Sequence, residues 1–178
     1  EVKNGSLAAS KITLKSVIVD SEGRVLADAE TSRQIPAGEM QVLNQQFVVT
    51  QPQLWSPDTP HLYEVVSTVK VAGKIVDKYT TPLGIRTVEF TKDSGFLLNG
   101  EHVDIKGVCL HHDFGPIGTA FYPRALERQL EILGEMGCNA IRTAHNPRDP
   151  EFYRICDRMG FMVMDEAFDV WELRKLPN

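Results

Sequence analysis

Cysteine is scarce in this chain, and its placement excludes more than its number does. Cys109, Cys138 and Cys156 are the three thiols among 178 residues; they lie in or beside apolar segments and show no CxxC spacing. Free buried thiols are expected, with neither a zinc site nor a disulfide framework. Long apolar runs are missing too. None approaches the roughly 20 residues of a membrane span, and residues 1–10 have no charged start followed by an apolar stretch. The compartment therefore stays open between cytoplasm and export. Basic charge is in deficit, with 19 Lys and Arg against 24 Asp and Glu and a formal net charge of −5. Neither nucleic acid nor an anionic membrane surface has an electrostatic reason to bind, and neutral ligands fit better.

What remains is ample for a folded protein. Hydrophobic residues make up 42% and charged residues 24%, the balance of a soluble globular chain of one or two domains. Residues 10–83 alternate apolar and polar, as in Ile12 and Leu14, then Val17 and Val19. Turn signals fall at Ser21-Glu22-Gly23, Pro36-Ala37-Gly38 and Ala72-Gly73. Short strands at this spacing predict an antiparallel sandwich over residues 1–83. Its clearest piece is a hairpin from Leu62 to Tyr79, with Tyr63, Val65, Ser67, Val69 and Val71 on one face. A Pro-rich bend containing Trp55, Pro57 and Pro60 precedes it.

After Pro82 the period changes. Val103–Leu110 reads as a largely apolar strand ending in His111-His112-Asp113, followed by a Gly-rich loop and a helix from about Pro123 carrying Leu126, Leu130 and Leu133. Cys138–Ala144 reads as a second strand. Asp149-Pro150 supplies an N-cap and a first-turn proline, Phe152, Ile155, Cys156 and Met159 form an apolar stripe, and Gly160 closes the helix. Phe161–Met164, apolar on both faces, is a third strand of parallel type. The order β-α-β-α-β over residues 84–178 predicts the first part of a (β/α)8 TIM barrel. Arg142, His145, Asp165 and Glu166 fall at the same ends of its strands, where such barrels build active sites.

The stretch Asn139, Ile141-Arg142-Thr143-Ala144-His145, Pro147, Asp157, Gly160 and Phe161–Met164 resembles glycoside hydrolase family 2, which includes β-galactosidases and β-glucuronidases. Asn146 departs from the family pattern, where Tyr is usual. Gly84-Ile85-Arg86 resembles the family's exit from an immunoglobulin-like sandwich, and Gly95–Gly100 its hairpin under the barrel floor. The resemblance implies a retaining glycosidase working through two Glu residues on barrel strands four and seven, with carboxyl groups about 5 to 5.5 Å apart. Neither strand is in the chain, so the acid/base and nucleophile Glu are expected beyond Asn178, and no catalytic residue is expected within it. The chain is therefore expected to be an inactive fragment of a longer β-galactosidase-like enzyme, without the sugar-binding domain that precedes the sandwich.

What the resemblance assigns here is the supporting shell. Arg142 would hydrogen-bond the carboxylate nucleophile and keep it ionised. His145 and His111 would face sugar hydroxyls, Glu166 would touch substrate, Asp165 would support the pocket, and Asp113 would brace either His111 or its own loop. Trp171 would be a stacking platform for a sugar or a packing residue, and Trp55 either a packing residue where the sandwich meets the barrel or a core Trp beside a turn. Adjacent residues of an extended segment point to opposite faces, so His111 and His112 do not share a metal ion, and Asp165 and Glu166 do not act on one bond. Some family members place a magnesium-binding Glu where this chain has Val170, so no cofactor is expected here, with magnesium left open for the longer enzyme.

The other readings are β-glucuronidase or β-mannosidase within the family and, from another class, a non-catalytic carbohydrate-binding or scaffold module. Against the last, Tyr63 and Tyr79 stand isolated on their strands and form no stripe. A half-barrel is also expected to expose apolar faces around Val108, Phe161 and Val163, and to self-associate through them.

Overall fold

The computed structural model describes residues 1–169. The chain divides into two compact units, Glu1–Gln53 with Leu62–Leu83, and Leu54–His61 with the chain from Gly84 onward. The Pro-rich bend thus groups with the second unit, although it lies inside the first in sequence.

The first unit contains β1 (Val2–Lys3), β2 (Ser10–Val19), β3 (Val25–Ile35), β4 (Met40–Gln41), β5 (Tyr63–Val71) and β6 (Lys74–Leu83). Strands β3-β2-β5-β6 form an antiparallel sheet, and β1 pairs with β4. The β5–β6 turn places Ala72 at φ 48° and Gly73 at φ 79°, the two positive values that a two-residue hairpin of primed type requires. The register pairs Ile12 with Val71, Leu14 with Val69, Ser16 with Ser67 and Ile18 with Val65, so these residues share a face with Tyr63. Ile12, Ser16 and Ile18 are buried, whereas Val17 and Val19 are not, or less so: the inward row continues through Ser16 and Ile18. The sequence pattern misplaced that row after Leu14. Ser16 holds the row in phase because its hydroxyl meets that of Ser67 at 3.2 Å, which lets a polar residue sit at a core position. Beyond β4 the chain stays extended, and Leu43, Gln45, Phe47 and Val49 are less exposed than the residues between them. Gln45 Nε2 donates to Leu14 O at 3.1 Å, tying that segment to the sheet.

The second unit contains β7 (Val88–Thr91), β8 (Gly95–Leu98), β9 (Glu101–His102), β10 (Gly107–Leu110), a 3-10 turn (Gly115–Ile117), α1 (Pro123–Glu135), β11 (Ala140–Thr143), α2 (Pro150–Met159) and β12 (Met162–Met164). Strands β7–β9 form an antiparallel meander, and β10-β11-β12 a parallel sheet in that order. Strand β10 is shorter than Val103–Leu110. The Asn139 side chain donates to Asp104 O at 2.9 Å and accepts from Lys106 N at 2.8 Å, which holds the preceding residues as a loop. Likewise β11 begins at Ala140 and not at Cys138. Helix α2 has the ends its sequence dictates, with Asp149 Oδ1 capping Glu151 N at 2.8 Å and Gly160 at φ 77°.

Both helices pack on one face of the sheet. Leu126, Leu130, Ile141, Phe152, Ile155, Cys156 and Phe161 are the buried core, with Val108 and Val163 packed against it. The expectation of bare apolar faces at Val108, Phe161 and Val163 is therefore corrected: the helices cover them, and Phe161 is only 5% exposed. The other face carries Cys109, Arg142 and Met164, which pair across the three strands and are exposed. Burial of the thiols is corrected in the same way. Cys156 is buried, with its pKa pushed up to about 12 by desolvation, but Cys138 is half-buried and Cys109 exposed. No disulfide forms among them.

Trp55 is 1% exposed within this unit. Its indole Nε1 donates to Asp157 O at 2.8 Å, Arg86 lies 4.6 Å above the ring, and a side chain at Gly84 would meet the ring at 3.1 Å. Trp55 is thus a packing residue, fastened to the C-terminal end of α2.

Candidate active site

Strand alternation decides which side chains reach the site. In β11, Ile141 and Thr143 point to the helices and Arg142 to the open face, so the strand delivers a guanidinium to a surface otherwise built for burial. Glu166 follows β12 and reaches the same side. Arg142 Nε donates to Glu166 Oε1 at 2.5 Å, and Arg142 Nη2 forms an ion pair with the same oxygen. His145 Nδ1 lies 2.7 Å from the other oxygen, Oε2. Arg142 Nη1 also reaches Cys109 Sγ on β10 at 3.6 Å. His111, at the end of β10, meets the His145 ring edge-on with centroids 5.4 Å apart.

Arg142, His145 and Glu166 border a pocket of about 510 Å³ lined also by Asp165, Ala167, Phe168 and Asp169, whereas His111 lines a neighbouring cavity. The Glu166 side chain is 22% exposed, against 45% for Arg142 and 38% for His145, so the carboxylate is the most sheltered member of the trio. Partial desolvation acts to raise the Glu166 pKa. The hydrogen bonds from His145 and Arg142, with their charge, outweigh it and leave the group below its ordinary value. An ionised carboxylate fixed between a guanidinium and an imidazole can accept hydrogen bonds from hydroxyls, and the Arg142 fork can share itself with a second carboxylate.

Asp165 has other partners. Its Oδ1 accepts from Thr143 Oγ1 and from Tyr153 OH, each at 2.8 Å. Thr143 is fully buried, and its hydroxyl also accepts from Glu166 N at 2.9 Å. Tyr153 OH in turn accepts from Arg148 N at 2.8 Å. A chain of short bonds thus joins both loops to β11 and α2 behind the pocket. Asp165 also lines the pocket, but its Oδ1 is held by the Thr143 and Tyr153 hydroxyls while the Glu166 oxygens are held by Arg142 and His145, so the two acids are not paired on one bond.

The remaining expected residues fall in different places. Asp113 Oδ1 accepts from Gly115 N at 2.7 Å, so it braces its own loop and not His111. His112 is half-buried and lines a separate cavity with Arg148 and Phe152. No group of three or more His, Cys, Asp or Glu among the described residues could hold a metal ion. Val170, Trp171 and Asn178 lie outside the described residues, so the expected stacking role of Trp171 and the expectation that both catalytic Glu follow Asn178 have no counterpart in the described geometry. Within it, the carboxylate that Arg142 holds is Glu166. Thr143, Tyr153 and Cys109 were given no role from sequence. Only Thr143 carried a signal, as a polar residue inside an otherwise apolar strand that needs a partner.

The comparisons with known proteins follow the same division. Residues 1–86 match the family described as glycosyl hydrolases family 2, and residues 88–171 match its TIM barrel domain. The chain is 50% identical over 172 residues to the β-galactosidase BoGH2A of Bacteroides ovatus, covering 97% of this chain and 20% of that protein. It is 41% identical over 167 residues to a putative β-glucuronidase of Formosa agariphila, covering 94% of this chain and 15% of that protein. Among solved structures, a family 2 member from Bacteroides cellulosilyticus superposes with TM-score 0.88 at 37% identity, over 93% of this chain and 23% of that one. The β-glucuronidase of Bacteroides uniformis gives 0.84 at 31%, over 93% of this chain and 20% of that one. The chain spans only about a fifth of such relatives. An immunoglobulin-like domain followed by the start of a TIM barrel, it belongs to glycosyl hydrolase family 2.

Proposed function

We propose that this chain is the central segment of a retaining β-galactosidase, in which Arg142, His145, Glu166 and His111 shape the pocket for the terminal sugar. The observation that carries the reading is the Glu166 carboxylate held at both oxygens by Arg142 and His145, at the strand ends where a barrel enzyme does its chemistry. Galactose is preferred over glucuronate because the relative at 50% identity is called a β-galactosidase. β-Glucuronidase is the second reading, favoured by the name of the relative at 41%. Catalysis would need the two Glu residues of strands four and seven, so the 178-residue chain alone would turn nothing over. In the longer protein those Glu would follow Asn178, Arg142 would extend its fork from Glu166 to the nucleophile, and Trp171 would stack on or pack beside the sugar.

The test is hydrolysis of aryl β-galactoside and aryl β-glucuronide by a protein that continues this chain through the closed barrel, with anomeric configuration followed by NMR. Retention and a preference for galactoside support the reading. Preference for glucuronide replaces it with the second, and the absence of any glycosidase activity removes both.

A further inference from the structure

Arg148, in the loop after β11, lays its guanidinium across the ends of β10 and β11. Its Nε is buried with no acceptor, and its Nη2 donates to two backbone carbonyls, Leu110 O and, at 3.3 Å, Ala144 O. The ring of Phe152, part of the buried core, lies 5.8 Å from the guanidinium carbon and backs it. A half-buried cation that leaves one N–H unsatisfied is costly, and an apolar side chain of similar size avoids that cost. What the apolar side chain could not do is join the two carbonyls.

Their places in the fold give the join its meaning. Leu110 is the last residue of β10, and its carbonyl also accepts from Ala144 N at 3.0 Å. Ala144 follows β11, beyond the last pair of that strand with β12, Arg142 with Met164. The two carbonyls belong to the peptide units that lead into His111 and His145, whose rings meet edge-on with centroids 5.4 Å apart. Each peptide unit is planar, so fixing its carbonyl fixes the bond from which the histidine departs. The backbone N–H of Arg148 donates to Tyr153 OH, and that hydroxyl donates to Asp165 Oδ1, each at 2.8 Å. One residue thus holds the ends of all three strands of the parallel sheet.

We infer that Arg148 is a positioning residue for the sugar pocket: it touches no substrate, and it sets the orientation in which the His145 imidazole faces Glu166 and the His111 ring packs on that imidazole. The inference rests on the sugar-site reading of the pocket. It adds that the hydrogen bonds made by His145 depend on a cation that does not line that pocket.

A mutant cycle in the longer protein tests it, with kcat/KM for an aryl β-galactoside as the readout. Arg148→Met keeps the packing on Phe152 and removes every donor. It is expected to lower kcat/KM by about 10- to 100-fold, as a displacement of about 1 Å at a positioned group implies. Combined with His145→Ala it is expected to cost under about threefold, because the ring it positions is gone. Arg148→Gln, polar but too short to reach both carbonyls, takes the place of Met should that variant not fold. A residue that only stabilises the fold costs the same in both backgrounds, and that result, or an unchanged kcat/KM in Arg148→Met, would overturn the inference. Imidazole nitrogen NMR spectra of the 178-residue chain separate it from the sugar-site reading. The Arg148 variant should shift the His145 Nδ1 resonance, and an unmoved resonance overturns the positioning role. A shifted resonance beside turnover indifferent to His145→Ala supports that role and overturns the sugar site alone.

Discussion

Glu166 meets Arg142 through one oxygen and His145 through the other, and this sharing sets a pH dependence. Desolvation alone would raise its pKa, but the two partners win and depress it below its ordinary value. A carboxyl group depressed in the folded state contributes stability that is fully present above its unfolded pKa and is lost as pH falls through the lower folded value. Melting temperatures measured from about pH 6 down to about pH 3 should therefore fall more steeply for the unaltered chain than for Glu166→Gln, which has no carboxyl to protonate. Parallel slopes would mean that the trio contributes nothing to the folded state. Arg142, His145 and Glu166 were legible in the sequence because each stands at the end of an apolar run, where a polar residue signals exposure. Their mutual pairing was not legible, since it depends on β11 and β12 being adjacent and in register. Within the described residues the acceptor that Arg142 meets is Glu166.

The strands and helices owe their ends to local chemistry that sequence displays well. Asp149-Pro150 and Gly160 bracket α2 as read, whereas β10 is shortened by the side chain of Asn139, distant in sequence, which no local pattern could show. Behind the pocket, Thr143 is the buried joint between β11, Asp165 and the backbone of Glu166. Thr143→Val keeps the shape but leaves Glu166 N without its acceptor and Asp165 Oδ1 with Tyr153 OH alone, so it should destabilise the chain by about 1 to 3 kcal/mol in denaturant unfolding. Thr143→Ser should restore most of that, and a Val variant as stable as Thr would show that water replaces the hydroxyl. Gly160 is a second joint. A Cβ there would lie 2.2 Å from Pro57 O, and its φ of 77° is already costly for any other residue. Gly160→Ala should cost more than about 2 kcal/mol, counting both the left-handed backbone and displacement of the bend. A smaller loss in thermal or denaturant unfolding would mean that the bend moves away freely.

At the scale of the whole molecule, the order of sheet and half-barrel could be read from the change of hydrophobic period near Pro82, but the membership of the Pro-rich bend could not. Trp55 lies far from Asp157 in sequence, and only the folded unit brings the indole to its carbonyl acceptor. The apolar surface expected around Val108, Phe161 and Val163 is covered by α1 and α2, which leaves as candidate causes the open face with Met164 and the outer edges of β10 and β12, without ladder partners among the described residues. Edge pairing of that kind should produce a concentration-dependent dimer in light scattering, and a mass fixed at that of one chain up to millimolar concentration would exclude it. The central claim concerns the pocket at the strand ends. It is tested most directly by kcat/KM for an aryl β-galactoside in the longer protein, with and without His145→Ala. Loss of a hydrogen bond that strengthens in the transition state should lower kcat/KM by about 2 to 4 kcal/mol, roughly 30- to 900-fold. An unchanged kcat/KM would contradict the placement of the sugar beside His145.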